Sequence, residues 1–246
     1  MKSLKVLILC RPPLRDAIES YIPALWIKEM RHQISISAYC MSMDRESSKP
    51  LIERYFDYGV EEIYLISDKQ FAGADTFATS YTLYQAICNM ELDFDLILAD
   101  AVSTYGETGH IPAQIAAFLN IPFAINVAGI VLAENNIICK QIFRSYEENI
   151  SLSYPCLLSL NSNVDTEFIN RNCLTLFDIM AKHHKEIKIM NSEQLKISEK
   201  QCGMCCSHTI VVNAIKMNGK NKHKLIEESR DAISELNKLI KVKGVG

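Results

Sequence analysis

Short apolar runs alternate with stretches of helical period along the first half of the chain. The runs have the length of strands buried on both faces, and they cover residues 5–10, 34–41, 62–66 and 94–98. Apolar residues at helical spacing predict helices at residues 14–31, 46–58 and 75–89. A further helix is predicted from Ile115, Ala116, Phe118 and Leu119, and Ile121-Pro122 ends it. Strands that alternate with helices of this length favour a parallel sheet with right-handed crossovers.

The period of the pattern changes after residue 124. Polar turns separate three strand-like segments, at residues 124–133, 137–145 and 150–160. They predict an antiparallel meander at one sheet edge. A helix-like piece, a strand and an amphipathic helix follow, at residues 174–185, 186–189 and 224–241. The predicted fold class is α/β: a doubly wound, mostly parallel Rossmann-like sheet with an antiparallel edge meander and a C-terminal arm ending in a helix.

This pattern divides the chain into two parts. We expect residues 1–190 to form a nucleotide-binding α/β domain and residues 191–246 to form an arm that contacts a partner subunit. The apolar side of the last helix must bury against something, either this domain or another chain. No stretch approaches the ~20 apolar residues of a membrane-spanning helix, and no signal peptide is recognisable. We therefore expect a cytoplasmic protein without a membrane span.

Composition excludes some partners. The net charge of the 246 residues is -3, so the chain lacks the basic field that attracts nucleic acid. Its nine cysteines are an odd number and mostly lie singly in apolar runs, which favours reduced thiols. Cys202, Cys205 and His208 have ligand spacing, but zinc and iron–sulfur sites normally need four ligands. Because the sequence contains no second cysteine pair, we expect no metal.

The most informative segment joins the fourth strand to the next helix. Its loop lies at the carboxyl end of a central strand, where parallel sheets bind ligands. Gly106 and Gly109 let the backbone approach a ligand, while Thr108 and the free N–H groups of the helix start are suited to an anion. The sequence predicts a phosphate-binding loop. The alternative is a strand–helix turn that needs glycine only for its geometry.

Two further strand ends are expected at the same edge of the sheet. Cys10 and Arg11 follow the first strand, and Met43 follows the second. Among the six histidines, His110 is the one expected to line the site. No carboxylate pair and no nucleophile with a base lies near the loop in the sequence, which argues against a hydrolase.

Several motifs occur in the order and spacing of one known family. They include Phe71-Ala-Gly-Ala-Asp-Thr-Phe at the start of the third helix, Gly106-Glu-Thr-Gly-His110 in the loop and Leu119-Asn-Ile-Pro122 after the next helix. Along nearly its whole length the chain resembles the beta subunit of electron transfer flavoproteins, as a divergent member. The resemblance implies a heterodimer with an FAD-containing alpha subunit. It also implies electron transfer with acyl-CoA dehydrogenase-type partners rather than catalysis by this chain.

The resemblance further implies a nucleotide in this subunit, either AMP as a structural ligand or a second FAD. The implied contact residues are Cys10, Arg11, Met43, Val102, Ser103, Thr104, Gly106, Glu107, Thr108, Gly109, His110 and Ile111. The Asp-Gly-Asp-Thr of the family reads Tyr105-Gly-Glu-Thr108 here, and the family's hairpin after Arg11 is missing. Two functions therefore stay open: an electron-carrying subunit, or a non-redox nucleotide-binding or structural subunit of the same fold.

An apolar cluster at residues 176–180 resembles the docking segment of the family. The resemblance implies that Leu176 and Phe177 contact the partner dehydrogenase, while Ile179 and Met180 hold the segment to its own domain. Short apolar clusters in polar segments are candidate binding hot spots. The alternative is that the whole cluster packs onto the sheet.

Overall fold

The computed structural model describes residues 3–11, 21–100, 108–176, 178 and 185–209. Within these residues, nine strands form one sheet: β1 (Leu4–Cys10), β2 (Ile36–Met43), β3 (Glu62–Ile66), β4 (Leu96–Asp100), β5 (Phe123–Leu132), β6 (Asn136–Ile142), β7 (Glu147–Ser153), β8 (Cys156–Leu160) and β9 (Ile187–Met190). The α-helices of the same residues are α1 (Ile22–Arg31), α2 (Lys49–Ile52), α3 (Thr76–Asn89), α4 (His110–Leu119), α5 (Thr166–Asn172) and α6 (Gly203–Cys206).

The sheet is parallel except at one edge. Its strand order is β7-β6-β5-β8-β4-β1-β2-β3-β9, and only the pairs β5–β6 and β6–β7 among the described strands are antiparallel. Strand β1 pairs in parallel with β2 on one side and with β4 on the other. The predicted mixed sheet with an antiparallel edge is confirmed.

Helices cover both faces of the sheet. Along β1, Val6 and Ile8 belong to a core that includes Trp26 and Ile27 of α1, whereas Leu7 belongs to a second core with residues of α3 and α4. This alternation follows from the period of a strand, whose successive side chains point to opposite faces. Strands covered on both faces need apolar residues at every position, which explains the continuous apolar runs in the sequence.

Two predicted elements differ from the observed ones. The strand expected at residues 150–160 is two strands, β7 and β8, separated at the cis Tyr154–Pro155 bond. Proline has no N–H to donate to a ladder, so the edge strand ends there and β8 enters the sheet between β4 and β5. The helix expected at residues 46–58 is α2 flanked by two short 3-10 helices.

The beginning of the arm contacts the α/β unit. Ser192 donates to Asp68 from both its N–H and its hydroxyl, and Thr209 donates likewise to Asp75, the N-cap of α3. The amphipathic helix predicted at residues 224–241 lies outside the described residues, and the division of the chain at residue 190 stays a prediction. Among the described residues, no helix is long and apolar enough to cross a membrane.

Candidate functional site

The candidate site lies where β1 has neighbours on both sides. Cys10 ends β1 and pairs in register with Ser42 of β2, while Leu9 pairs with Ala99, the residue before Asp100 at the end of β4. Met43 ends β2 at the same edge. Parallel sheets bind ligands at such switch points, beyond the carboxyl ends of the strands. The convergence of strand ends expected from the sequence is therefore present.

The start of α4 has the geometry of an anion site. Gly109 precedes the helix with φ 63° and ψ 6°, a left-handed conformation that glycine adopts readily. Gly109 provides no side-chain acceptor for the first amides of α4, where the helix dipole favours negative charge. Thr108 and His110 are exposed beside it, whereas Ile111 is half-buried and packs against the second core.

The remaining predicted contact residues are only partly described. Arg11 is exposed directly after β1. The others lie outside the described residues, namely Val102, Ser103, Thr104, Gly106 and Glu107. Whether any of the twelve residues contacts a nucleotide stays a prediction.

A buried cluster of thiols and a phenol lies beside the end of β1. The Cys10 and Cys40 sulfurs are 3.0 Å apart, and both thiols are unoxidised. Burial raises the pKa of the Cys40 thiol, and Cys10 and Asp100 raise it further. The pKa of the fully buried Tyr55 phenol is raised by burial and by the same neighbours. The Cys40 thiol and the Tyr55 phenol are therefore neutral near pH 7.

Two buried hydroxyls near the strand ends have no hydrogen-bond partner within the described part of the chain. They belong to Ser42 in β2 and Ser159 in β8. Ser42 is in register with Cys10, and Ser159 is in register with Ala99. Because buried polar groups are normally hydrogen-bonded, these hydroxyls need a partner beyond the described residues, either a ligand or another part of the chain. Neutral hydroxyls and backbone amides suit a phosphate or a nucleotide base.

Asp100 is the titratable group of this edge. Burial raises its pKa to about 7. A carboxylate would repel a bound phosphate, but a carboxyl with this pKa is protonated about half the time at neutral pH. Asp100, Cys40 and Tyr55 are not among the contact residues predicted from the sequence. For Asp100 a signal existed, since it follows the apolar run 96–99 at the end of a central strand.

The possible metal ligands of the arm point to different surroundings. The Cys202 sulfur donates weakly to the backbone carbonyl of Gln70 at 3.9 Å, and Cys205 is exposed. The ring of His208 stacks on Phe77 with centroids 4.1 Å apart. No group of three or more His, Cys, Asp or Glu side chains that could hold a metal ion occurs in the described ranges.

A cavity of about 490 Å³ lies between α1, α5 and the antiparallel meander. It is lined by Trp26 and Met30 of α1, Val131 and Lys140 of the meander, and Phe168 of α5. The predicted nucleotide contacts that the structure describes do not line it. Beyond α5, Leu176 is 80% exposed, whereas Asp178 two residues later is half-buried. Phe177, Ile179 and Met180 lie outside the described residues.

Comparisons with known proteins show which family the sequence resembles. The sequence model of the electron transfer flavoprotein domain matches residues 23–195. The chain is 28% identical over 186 residues to caffeyl-CoA reductase-Etf complex subunit CarD of Acetobacterium woodii, which covers 76% of this chain and 69% of that protein. It is 25% identical over 201 residues to electron transfer flavoprotein subunit beta of Thermoanaerobacterium thermosaccharolyticum, with 82% and 73% covered.

A third relative is the acryloyl-CoA reductase electron transfer subunit gamma of Anaerotignum propionicum. It is 25% identical over 169 residues, which cover 68% of this chain and 62% of that protein. All three relatives carry names of electron transfer subunits or of subunits of Etf complexes.

The pKa of Asp100 leads to a pH-dependent stability. Because this pKa is higher in the folded protein than the ordinary ~3.9, the folded state binds more protons between about pH 4 and 7 and loses stability as the pH rises. Between pH 5 and pH 8 we expect the free energy of unfolding to fall by about 2–3 kcal/mol more in the wild type than in Asp100→Asn. Urea unfolding at both pH values measures this difference.

The matched control is Glu134→Gln, which alters an exposed carboxyl in the β5–β6 turn. It should follow the wild-type pH dependence. Equal pH dependence of the wild type and Asp100→Asn would show that Asp100 titrates normally.

Proposed function

This chain belongs to the electron transfer flavoprotein family, and we propose that it is the beta subunit of an electron carrier, paired with an FAD-containing alpha subunit. Like its relatives, it is an electron-transfer protein rather than a catalytic enzyme. The match over residues 23–195, which includes the ends of β2 and β4, the start of α4 and the segment around Leu176, carries the proposal. The second half of the arm, outside the described residues, would contact the alpha subunit.

We propose that the strand-end site holds AMP or a second FAD. The start of α4 would receive a phosphate, and the hydroxyls of Ser42 and Ser159 would bond polar atoms of the nucleotide. The protonated form of Asp100 can donate to a phosphate oxygen, so binding would strengthen as the pH falls through 7. A bound flavin would supply reversible electron uptake, whereas AMP would only stabilise the fold.

We propose that Leu176 is the contact with the partner dehydrogenase. An exposed leucine is a suitable hot spot, because it loses all of its water contact when it enters an apolar pocket. The partner would be a dehydrogenase of the acyl-CoA dehydrogenase type. The relatives named after caffeyl-CoA and acryloyl-CoA reductases support a partner that acts on a CoA thioester.

Gly109→Val tests the nucleotide site. Valine disfavours the left-handed conformation at φ 63°, so the loop should move away from the phosphate position while the sheet stays folded. We expect the co-purified heterodimer to lose at least 90% of the nucleotide of this subunit, a tenfold loss of affinity or more. Mass spectrometry of the ligand released on denaturation identifies the nucleotide and measures its stoichiometry.

Ala113→Val, on the exposed side of the same helix, is the control and should keep the ligand. If folded Gly109→Val keeps its full nucleotide content, the nucleotide does not bind at this edge of the sheet. A colourless wild-type heterodimer that binds only AMP would favour the non-redox alternative.

Leu176→Ala tests docking. The variant should fold normally and keep its nucleotide, because the side chain packs on little of its own chain. We expect electron transfer with the dehydrogenase, at limiting partner concentration, to slow at least tenfold, which corresponds to about 1.4 kcal/mol. Stopped-flow absorbance of the flavin measures the rate. An unchanged rate would assign Leu176 to another role.

A further inference from the structure

The segment that carries Leu176 is tied to α1 by two adjacent residues, Lys28 and Glu29. We propose that Lys28 is a positioning residue, which holds the helical turn that carries Leu176 and Asp178 so that Leu176 projects toward the partner. This inference rests on the proposed docking function of Leu176. The two segments are about 150 residues apart, so the sequence alone does not predict that they are in contact.

Lys28 forms two hydrogen bonds to the segment that carries Leu176. Its Nζ donates to Oδ2 of Asp178 at 2.7 Å and to the backbone carbonyl of Cys173 at 3.0 Å. The same Asp178 oxygen accepts from the N–H and from the hydroxyl of Thr175, both at 2.7 Å. In return, the Asp178 N–H donates to the Thr175 hydroxyl at 3.2 Å. One carboxylate oxygen of Asp178 therefore joins α1 to Thr175, so the residues bonded to each other lie on either side of Leu176.

Glu29 fixes the chain that leads into this turn. Arg171 donates to the Glu29 carboxylate from Nε and Nη2, at 3.0 and 3.1 Å, and Asn172 donates to it at 2.6 Å. Below these bonds, the rings of Trp26 and Phe168 pack with centroids 4.7 Å apart. Helix α5 is thus held against α1 by ring packing and by a bidentate ion pair. The position of residue 173, which directly follows α5, is therefore fixed as well.

The Lys28–Asp178 ion pair is largely buried, so it can contribute to the position of this segment. The two side chains are 16% and 26% exposed, whereas most surface ion pairs are open to water and contribute little. Burial raises the pKa of Asp178, but the bonds from Lys28 and Thr175 outweigh it, and the pKa is lower than usual. The Asp178 carboxyl is therefore ionised at neutral pH.

Leu176 depends on this polar anchor. With 80% of its surface exposed, it has little packing of its own to define its position. A contact that is already held in its bound position loses less conformational entropy on binding. Without Lys28, the Cys173 carbonyl loses its donor and Asp178 loses its cation. The turn would then sample positions from which Leu176 does not reach the partner.

Lys28→Met in the full heterodimer tests the proposal, since methionine keeps the apolar stem and removes the cation. We expect the KM for an acyl-CoA dehydrogenase that reduces the wild type to rise about tenfold, with the rate at saturation and the nucleotide content unchanged. Hydrogen exchange at the Thr175 and Asp178 amides should be about tenfold faster. Lys28→Arg, which retains a cation, should restore most of both properties.

Lys188→Met is the matched control. It removes a lysine paired with Glu62 at 3.0 Å, on β9 at the other edge of the sheet. Its KM and its exchange near residue 175 should equal those of the wild type. Combining Lys28→Met with Leu176→Ala should weaken docking no more than Leu176→Ala alone, because Lys28 acts through Leu176.

Three outcomes would overturn the positioning role: wild-type KM and exchange in Lys28→Met, fully additive losses in the double variant, or failure of arginine to rescue. Failure of the docking function is a separate result. In that case Leu176→Ala transfers electrons at the wild-type rate, while exchange at Thr175 still decides whether Lys28 holds the turn.

Discussion

Helices bury the parallel sheet on both faces, and this burial determines where polar groups can lie. Because α1 covers one face and α3 and α4 cover the other, the central strands have apolar side chains throughout. Polar chemistry is thereby confined to the strand ends. The switch point between β1 and β4 opens one such end, and there the structure collects Asp100, the start of α4 and the unpartnered hydroxyls.

Much of the fold could be predicted because local and global signals agree. The helix predicted to begin near Asp75 does so, with Asp75 accepting from the Ala78 N–H at 2.9 Å. Strand β3 has the predicted bounds. Predictions failed where periodicity is weak: α5 has only seven residues, and Pro155 divides an apolar run that otherwise reads as one strand.

The candidate site was predictable only in part. Glycines before a helix mark a possible anion loop in any sequence, and Gly109 has the left-handed backbone that this role requires. Tyr55 and Cys40 could not be assigned in this way, because tertiary packing alone brings a residue after α2 and a mid-strand thiol to the end of β1. The same holds for Lys28, whose bonds to residues 173 and 178 depend on how α1 and α5 pack.

Under the proposed function, two tasks belong to different parts of the chain. The strand-end site is suited to bind a nucleotide. Leu176 is exposed on a turn that hydrogen bonds attach to α1. Neither task needs an acid, a base or a nucleophile from this chain. This division agrees with a subunit that binds and docks while a flavin carries the electrons.

Electron transfer by this subunit is tested by the visible absorption of the heterodimer, purified after co-expression with its alpha-type subunit, before and after a reduced acyl-CoA dehydrogenase is added. We expect a yellow complex whose oxidised flavin absorption disappears on mixing as electrons are transferred. A stable complex that is colourless, or whose flavin stays oxidised with every dehydrogenase of this class, would exclude this role.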